Sequence, residues 1–336
     1  MECGGPGRPD GDPRPPEVVR AVRRPFHPLF WTLAQLGSRI RAHAPRGTED
    51  PTRQLPPLET VWVPTRHGDL RTVLQRPAAP DRAGGRPPVL VHLHGGGFVN
   101  RHPEQDRHIA RHLADELGAI VLLPDYSTAP RAVYPRAEEE VFDLVGWVMT
   151  DQRYGWDGGR IGLSGVSAGA KLAINACQQR HAAGLARPSA LVLVVPVTDV
   201  VDNARTSAIR RPVIGPFFQR FVGWAYFPEI ARRAETLASP RFDAALAQAL
   251  PATLVLTAEY DTLAPEADEL VGVLRAAGVE VAHHEYPGAD HGFVATKPVG
   301  TIRDMLRRMA GFLGPRLTSP PIAGGVPEPG TPGDRR

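Results

Sequence analysis

Residues 165–169 read Gly165, Val166, Ser167, Ala168, Gly169, which sets a serine between two glycines in the pattern GxSxG. A serine there, with a β-rich run before it and a helical run after it, sits on a sharp strand-to-helix turn. Side chains two residues to either side would collide as strand and helix close together. Upstream, His94, Gly95, Gly96 and Gly97 follow an apolar run that ends at Leu93. Three successive glycines let backbone N–H groups approach an oxygen as it becomes negative, and with the amide of Ala168 they would form an oxyanion hole. A hydroxyl is a poor nucleophile near neutral pH. A base must take its proton, and a carboxylate must orient that base and stabilise its positive form. Among twelve histidines, His291 lies in a turn-rich loop just after the run that ends at Tyr286, and Asp261 lies just after the preceding β-rich run. Asp199 and Asp202, which close another such run, are alternative acids; Asp290, beside His291, reads as a loop residue.

These groups need a frame that holds them at one edge, and the pattern along the chain supplies one. Runs 59–63 and 70–75 flank the turn His67, Gly68, Asp69 and predict an antiparallel pair. Strands follow at 88–93, 119–123, 160–164, 191–195, 253–257 and 279–286. Helices fall between or after them at 104–117, 136–149, 168–181, 266–277 and 297–312, with an interruption over about 200–249. Such alternation means a mostly parallel sheet with helices on both faces. His94 to Gly97, Ser167, Asp261 and His291 then all follow the carboxyl ends of separate strands, the edge at which open α/β sheets bind ligands.

Composition excludes several other classes. There are 39 Lys and Arg against 36 Asp and Glu, and the first 53 residues hold nine Arg and six acids, so the remainder is balanced at 30 against 30. A phosphate-tracking basic stripe, and with it a nucleic-acid partner, is not expected. Cys3 and Cys177, the two cysteines, exclude a disulfide framework or a cysteine-rich zinc site. His92, His94, His108 and His112 could imitate a metal cluster, but no acid completes an HExxH arrangement, and no metal is assigned. No apolar stretch approaches the roughly 20 residues of a membrane span. The start, MECGGPGRPDGDPRPPE, has no basic-then-apolar leader, so the expectation is a cytoplasmic protein.

Five blocks in order, HLHGGGF at 92–98, PDYSTAPRAVYPRAEEE at 124–140, GVSAG at 165–169, AEYDTLAPE at 258–266 and YPGADHGF at 286–293, resemble the hormone-sensitive-lipase type of α/β-hydrolase, a family of carboxylesterases. The resemblance runs from about Glu59 to Gly314 outside 200–249, and the chain order Ser, acid, His agrees with it. It implies an α/β-hydrolase fold with a helical lid. It also implies Ser167 as nucleophile, His291 as general base then acid, Asp261 as its orienter, and the amides of Gly96, Gly97 and Ala168 as oxyanion donors, with Gly95 the next candidate. Asp125 and Tyr126 match a block that supports the wall of the site. The chain departs from the family at Val166, where an acid or Thr is usual, at Ala170 and Lys171, where Gly and Asn are usual, and at Thr262, where Pro follows the acid.

The expected organisation is a disordered tail over 1–16, a lid helix region over 17–53, a core in two parts at 54–200 and 250–314, a lid insertion at 201–249, and a second disordered tail over 315–336. Residues 22–40 carry an apolar helical face flanked by arginines, read as packing on the body in preference to lying on a membrane surface. Residues 201–230 hold six of the 22 aromatics, more than a solvent-facing insertion would carry unless it covered something apolar. With Phe26, Phe30 and Trp31 they predict a lid, and Phe98, Phe217, Phe218, Phe221 and Trp224 are the expected pocket walls; rings that merely glue the lid together are the equal alternative. The function expected is hydrolysis of short- to medium-chain esters through an acyl-enzyme, with no cofactor and a small-molecule ester as partner. Deacetylation of an N- or O-acetylated metabolite is the runner-up, and a non-catalytic small-molecule receptor the third reading. A homodimer through the last strand and helix is an expectation from the resemblance.

Overall fold

The computed structural model describes residues 56–78, 85–151, 153–296 and 299–318. The expected tail at 1–16 and the helix region at 17–53, with Phe26, Phe30 and Trp31, lie outside the described residues.

Eight strands form one sheet: β1 (Glu59–Thr65), β2 (Gly68–Gln75), β3 (Pro88–Leu93), β4 (Ile120–Pro124), β5 (Asp157–Val166), β6 (Ala190–Val194), β7 (Thr253–Ala258) and β8 (Val281–Tyr286). Their spatial order is β1-β2-β4-β3-β5-β6-β7-β8. The β1–β2 and β2–β4 pairs are antiparallel and every other pair is parallel. The helices are α1 (Arg107–Leu117), α2 (Arg136–Thr150), α3 (Ala168–Ala182), α4 (Pro216–Ala225), α5 (Leu246–Ala249), α6 (Ala264–Ala276), α7 (Phe293–Thr296) and α8 (Val299–Thr318).

Strands β3, β4, β6 and β7 are buried along their whole length because helices cover both faces, which is why they read as continuous apolar runs. Side chains alternate between two cores. Val89, Val91 and Leu93 join α2, α3 and α6 in one, while Leu90 joins α1 and α8 in the other. Registers Leu93↔Gly165, Val166↔Val194, Leu256↔His284 and Ala258↔Tyr286 align the carboxyl ends of the central strands, so the loops that leave them share one edge.

Several boundaries differ from the sequence expectation by two or three residues, and two of the differences bear on the packing. The run 104–117 is split into a 3-10 turn, Pro103–Asp106, and α1, and the turn aims Asp106 inward toward His92. At the other end α8 continues to Thr318, four residues into the segment expected to be a disordered tail. Leu317 is fully buried in the α1/α8 core, and that burial keeps the last turn ordered although Pro315 lies inside the helix.

Candidate active site

The turn at Ser167 is forced by its neighbours. Ser167 has φ 55° and ψ −116°, a left-handed conformation disfavoured for a residue with a Cβ, and its N–H donates to Val194 O at 2.8 Å. A Cβ on Gly165 would lie 2.4 Å from the Gly169 backbone, and one on Gly169 only 2.1 Å from Leu93 O. The two glycines therefore let α3 start directly against β5 and β3. This closeness sets Ser167 at the mouth of the sheet edge.

Ser167 Oγ lies 2.8 Å from His291 Nε2, and His291 Nδ1 lies 2.8 Å from Asp261 Oδ2. The other oxygen of Asp261 accepts the N–H of Leu263 at 3.0 Å, so both oxygens are engaged and the carboxylate has a fixed orientation. All three residues are less than 9% exposed. An Nδ1–H directed at Asp261 leaves Nε2 as the acceptor for the serine proton, the polarity a general base requires. Asp199 and Asp202, the alternative acids, are engaged elsewhere. Asp199 accepts from Arg241 at 2.9 Å and from the N–H of Val201 at 2.7 Å, and Asp202 accepts from the N–H of Ala204 at 2.8 Å. Asp290 caps the adjacent loop, accepting the N–H of His291 at 2.6 Å and that of Val213 at 2.7 Å.

The glycine loop is clamped through its carbonyls. Gly96 O accepts the N–H groups of Val99 at 3.1 Å and Asn100 at 3.0 Å, and Gly95 O accepts from His94 Nδ1 at 2.8 Å and Gln105 Nε2 at 3.0 Å. Tyr126 donates its hydroxyl proton to His94 O at 2.6 Å and stacks on the His94 ring with centroids 4.2 Å apart. Burial lowers the His94 pKa, so the ring stays neutral near pH 7. Among the described residues, no protein group accepts the N–H of Gly96, Gly97 or Ala168. These donors remain for a ligand. Gly97 is left-handed at φ 59°, and a Cβ there would lie 2.8 Å from Phe218 Cζ, so α4 packs directly on the loop.

Gly97, Phe98, Ser167, Phe218, Val222 and Leu263 line a cavity of about 440 Å³ of empty space, partly open to solvent. Of the aromatics expected as pocket walls, Phe98 and Phe218 line it and three do not. Phe217 is 66% exposed, and Phe221 and Trp224 pack into the α2/α3 core, because the face of α4 toward the cavity is the one that carries Phe218, Gln219, Val222 and Gly223. The lid segment is thus part wall and part glue.

Three supports escaped the sequence reading. Gln105 and Asn100, linked to each other at 2.9 Å, brace the glycine loop. Thr262, where the family has proline, donates its hydroxyl proton to Ile214 O at 3.1 Å and ties the lid to the acid loop. Lys171, another departure, is fully buried against Glu138 within a cage of Phe98, Tyr134 and Phe227 at 5.4, 5.4 and 5.2 Å. Burial lowers the Lys171 pKa against the opposing pull of Glu138, whose other oxygen accepts from Tyr226 at 2.8 Å. Polar hydrogen bonding at such positions has no periodic signal in sequence. Among the described residues there is no cluster of three or more His, Cys, Asp or Glu able to hold a metal, and no helix is long and apolar enough to cross a membrane.

Comparison with known proteins gives a consistent result. A family model described as alpha/beta hydrolase fold matches residues 90–295. LipR of Mycobacterium tuberculosis is 29% identical over 314 residues, covering 88% of this chain and 94% of that one. Mouse hormone-sensitive lipase is 36% identical over 122 residues, 36% of this chain and 16% of the lipase. Among solved structures, a hyperthermophilic esterase from the archaeon Pyrobaculum calidifontis superposes with a TM-score of 0.72 at 29% identity, covering 85% of this chain and 88% of the other.

Proposed function

Because the chain belongs to the α/β-hydrolase fold family, we propose that it is a serine carboxylesterase that cleaves short- to medium-chain acyl esters by two-step acyl transfer. Ser167 attacks the ester carbonyl while His291 Nε2 takes its proton. The resulting imidazolium is stabilised by Asp261. The N–H groups of Gly96, Gly97 and Ala168 are available to receive the negative charge of the tetrahedral intermediate, which is where electrostatic preorganisation counts most. His291 then protonates the departing alcohol, and in the second step it activates a water that releases the acid and restores Ser167. No step requires a metal or an organic cofactor.

The observation that carries this reading is the strained Ser167, held 2.8 Å from a histidine that is itself 2.8 Å from an aspartate. A cavity walled by Phe218 and Val222 beside Ser167 favours compact acyl groups. The test is hydrolysis of 4-nitrophenyl esters from acetyl to dodecanoyl by wild type and Ser167→Ala. Serine-dependent turnover peaking at short or medium chains supports the reading. No turnover by wild type, or equal turnover by the variant, removes it. We further propose a cytoplasmic setting and a homodimer through edge strand β8 and helix α8; elution as a monomer in gel filtration would end the second proposal.

A further inference from the structure

The cavity beside Ser167 is mostly apolar, but four polar side chains besides the serine line it: Asp199, Asn203, Arg205 and Gln219. Three of them are occupied with the protein itself. Asp199 accepts two backbone N–H groups and the Arg241 guanidinium, whose other arm rests on Glu269 at 2.6 Å. Gln219 accepts the N–H of Arg205 at 3.2 Å and donates to Arg205 O at 2.9 Å and Ile214 O at 3.0 Å. Asn203 donates to Val201 O at 3.1 Å.

Arg205 is the cation among the four. Its Nη2 meets Asp199 O and lies 3.2 Å from Glu266 Oε2, while among the described residues Nε and Nη1 have no acceptor. Its backbone is held on both sides by Gln219, so the guanidinium is presented from a fixed anchor, with the side chain only 13% exposed. Glu266 is a weak counter-ion. Burial pushes its carboxyl up to about 8 against the pull of Arg205, so near neutral pH it is largely protonated. A cation with spare donors in a mostly apolar cavity is an anion-recognition element, because a guanidinium binds a carboxylate through short, charge-assisted hydrogen bonds.

Resting on the esterase reading, we propose that Arg205 makes this a carboxylate-accepting pocket, so that the preferred substrates are small esters carrying a free carboxylate in the half seated in the cavity. That carboxylate can belong to the acyl group, as in a half-ester of a short dicarboxylic acid, or to the alcohol, as in an O-acyl hydroxy acid.

The test measures binding by Ser167→Ala protein, which lacks the proposed nucleophile, so its result does not depend on turnover. One arm compares methyl hydrogen glutarate with its terminal amide; the other compares O-acetyl-lactate with O-acetyl-lactamide. The expected result is about 10- to 100-fold tighter binding of the carboxylate than of the amide in one arm, which identifies the half concerned. Adding Arg205→Met should abolish that preference. Adding Glu266→Gln to the same protein keeps the buried partner neutral and guards against misfolding. Equal binding of carboxylate and amide in both arms, or a preference that survives loss of Arg205, overturns the proposal. Failure of wild type to cleave any ester would instead strike the esterase reading and leave the binding ratio legible.

Discussion

Among the described residues two Ser–His–Asp constellations can be compared, and one of them has the properties of a reaction site. At the sheet edge Ser167 meets His291 Nε2 and Asp261 meets Nδ1, both at 2.8 Å. Inside the sheet, Ser164 Oγ lies 2.8 Å from His92 Nδ1, and Asp106 Oδ2 is 3.4 Å from the opposite nitrogen. The residue types are the same. Ser164, however, lies within β5, paired on one side with His92 of β3 and on the other with Val192 of β6, and both Ser164 and His92 are wholly buried. It is not among the residues at positive φ, and it does not line the cavity beside Ser167. The inner constellation therefore serves as a satisfied polar bridge between two strands and the turn before α1, where an unpaired polar group would be costly. The difference teaches that backbone strain and access, more than the trio of side chains, separate chemistry from structure.

Several substitutions sharpen that contrast. Ser167→Ala should lower kcat by about 10⁴- to 10⁶-fold, whereas Ser164→Ala should leave it within a few fold; steady-state kinetics on both, with melting curves, decide it. If the Ser164 variant were folded and inactive, the comparison would be inverted. Next in size, Asp261→Asn should cost about 10⁴ in kcat by allowing the wrong tautomer of His291, with KM changed far less. Gly97→Ala should cost about 10²-fold in kcat, because its Cβ meets Phe218 at 2.8 Å and a left-handed backbone must shift a donor that faces the forming oxyanion.

The smallest effect belongs to the inner constellation and shows in stability alone. Burial raises the Asp106 carboxyl pKa, but His92, through its hydrogen bond and charge, together with His108 and His94, more than offsets this, and the net shift is downward. A carboxylate whose folded pKa is depressed stabilises the protein above its unfolded value of about 3.9 and loses that contribution as pH falls through the folded value. Asp106→Asn should therefore lower Tm at pH 6 and lose less on acidification below about pH 4 than wild type does. Thermal melts from pH 6 to pH 3 read this directly, and parallel slopes would show that Asp106 is not the group responsible.

Much of the frame was legible because it obeys short-range rules. The continuous apolar strands, the helices between them and the glycines at 165 and 169 announce themselves by period and by steric need. The lid was legible only as an aromatic-rich interruption. Phe217 and Phe218 are neighbours of the same type, yet one is exposed and the other closes on Gly97, since their directions depend on how α4 docks. Lys171 was legible only as a departure from the family pattern, and its burial depends on Glu138 and on Phe98, Tyr134 and Phe227, which are far away in the chain.

By itself the sequence determined the order Ser, Asp, His, the glycine turns that any such chemistry needs, and the alternation that yields a parallel sheet, because these follow from local backbone sterics and side-chain periodicity. Only the tertiary structure decided which Ser–His–Asp set faces a cavity, which aromatics line it and which arginine keeps donors free within it. Those outcomes depend on strand register and on contacts between segments as far apart as Arg205 and Glu266.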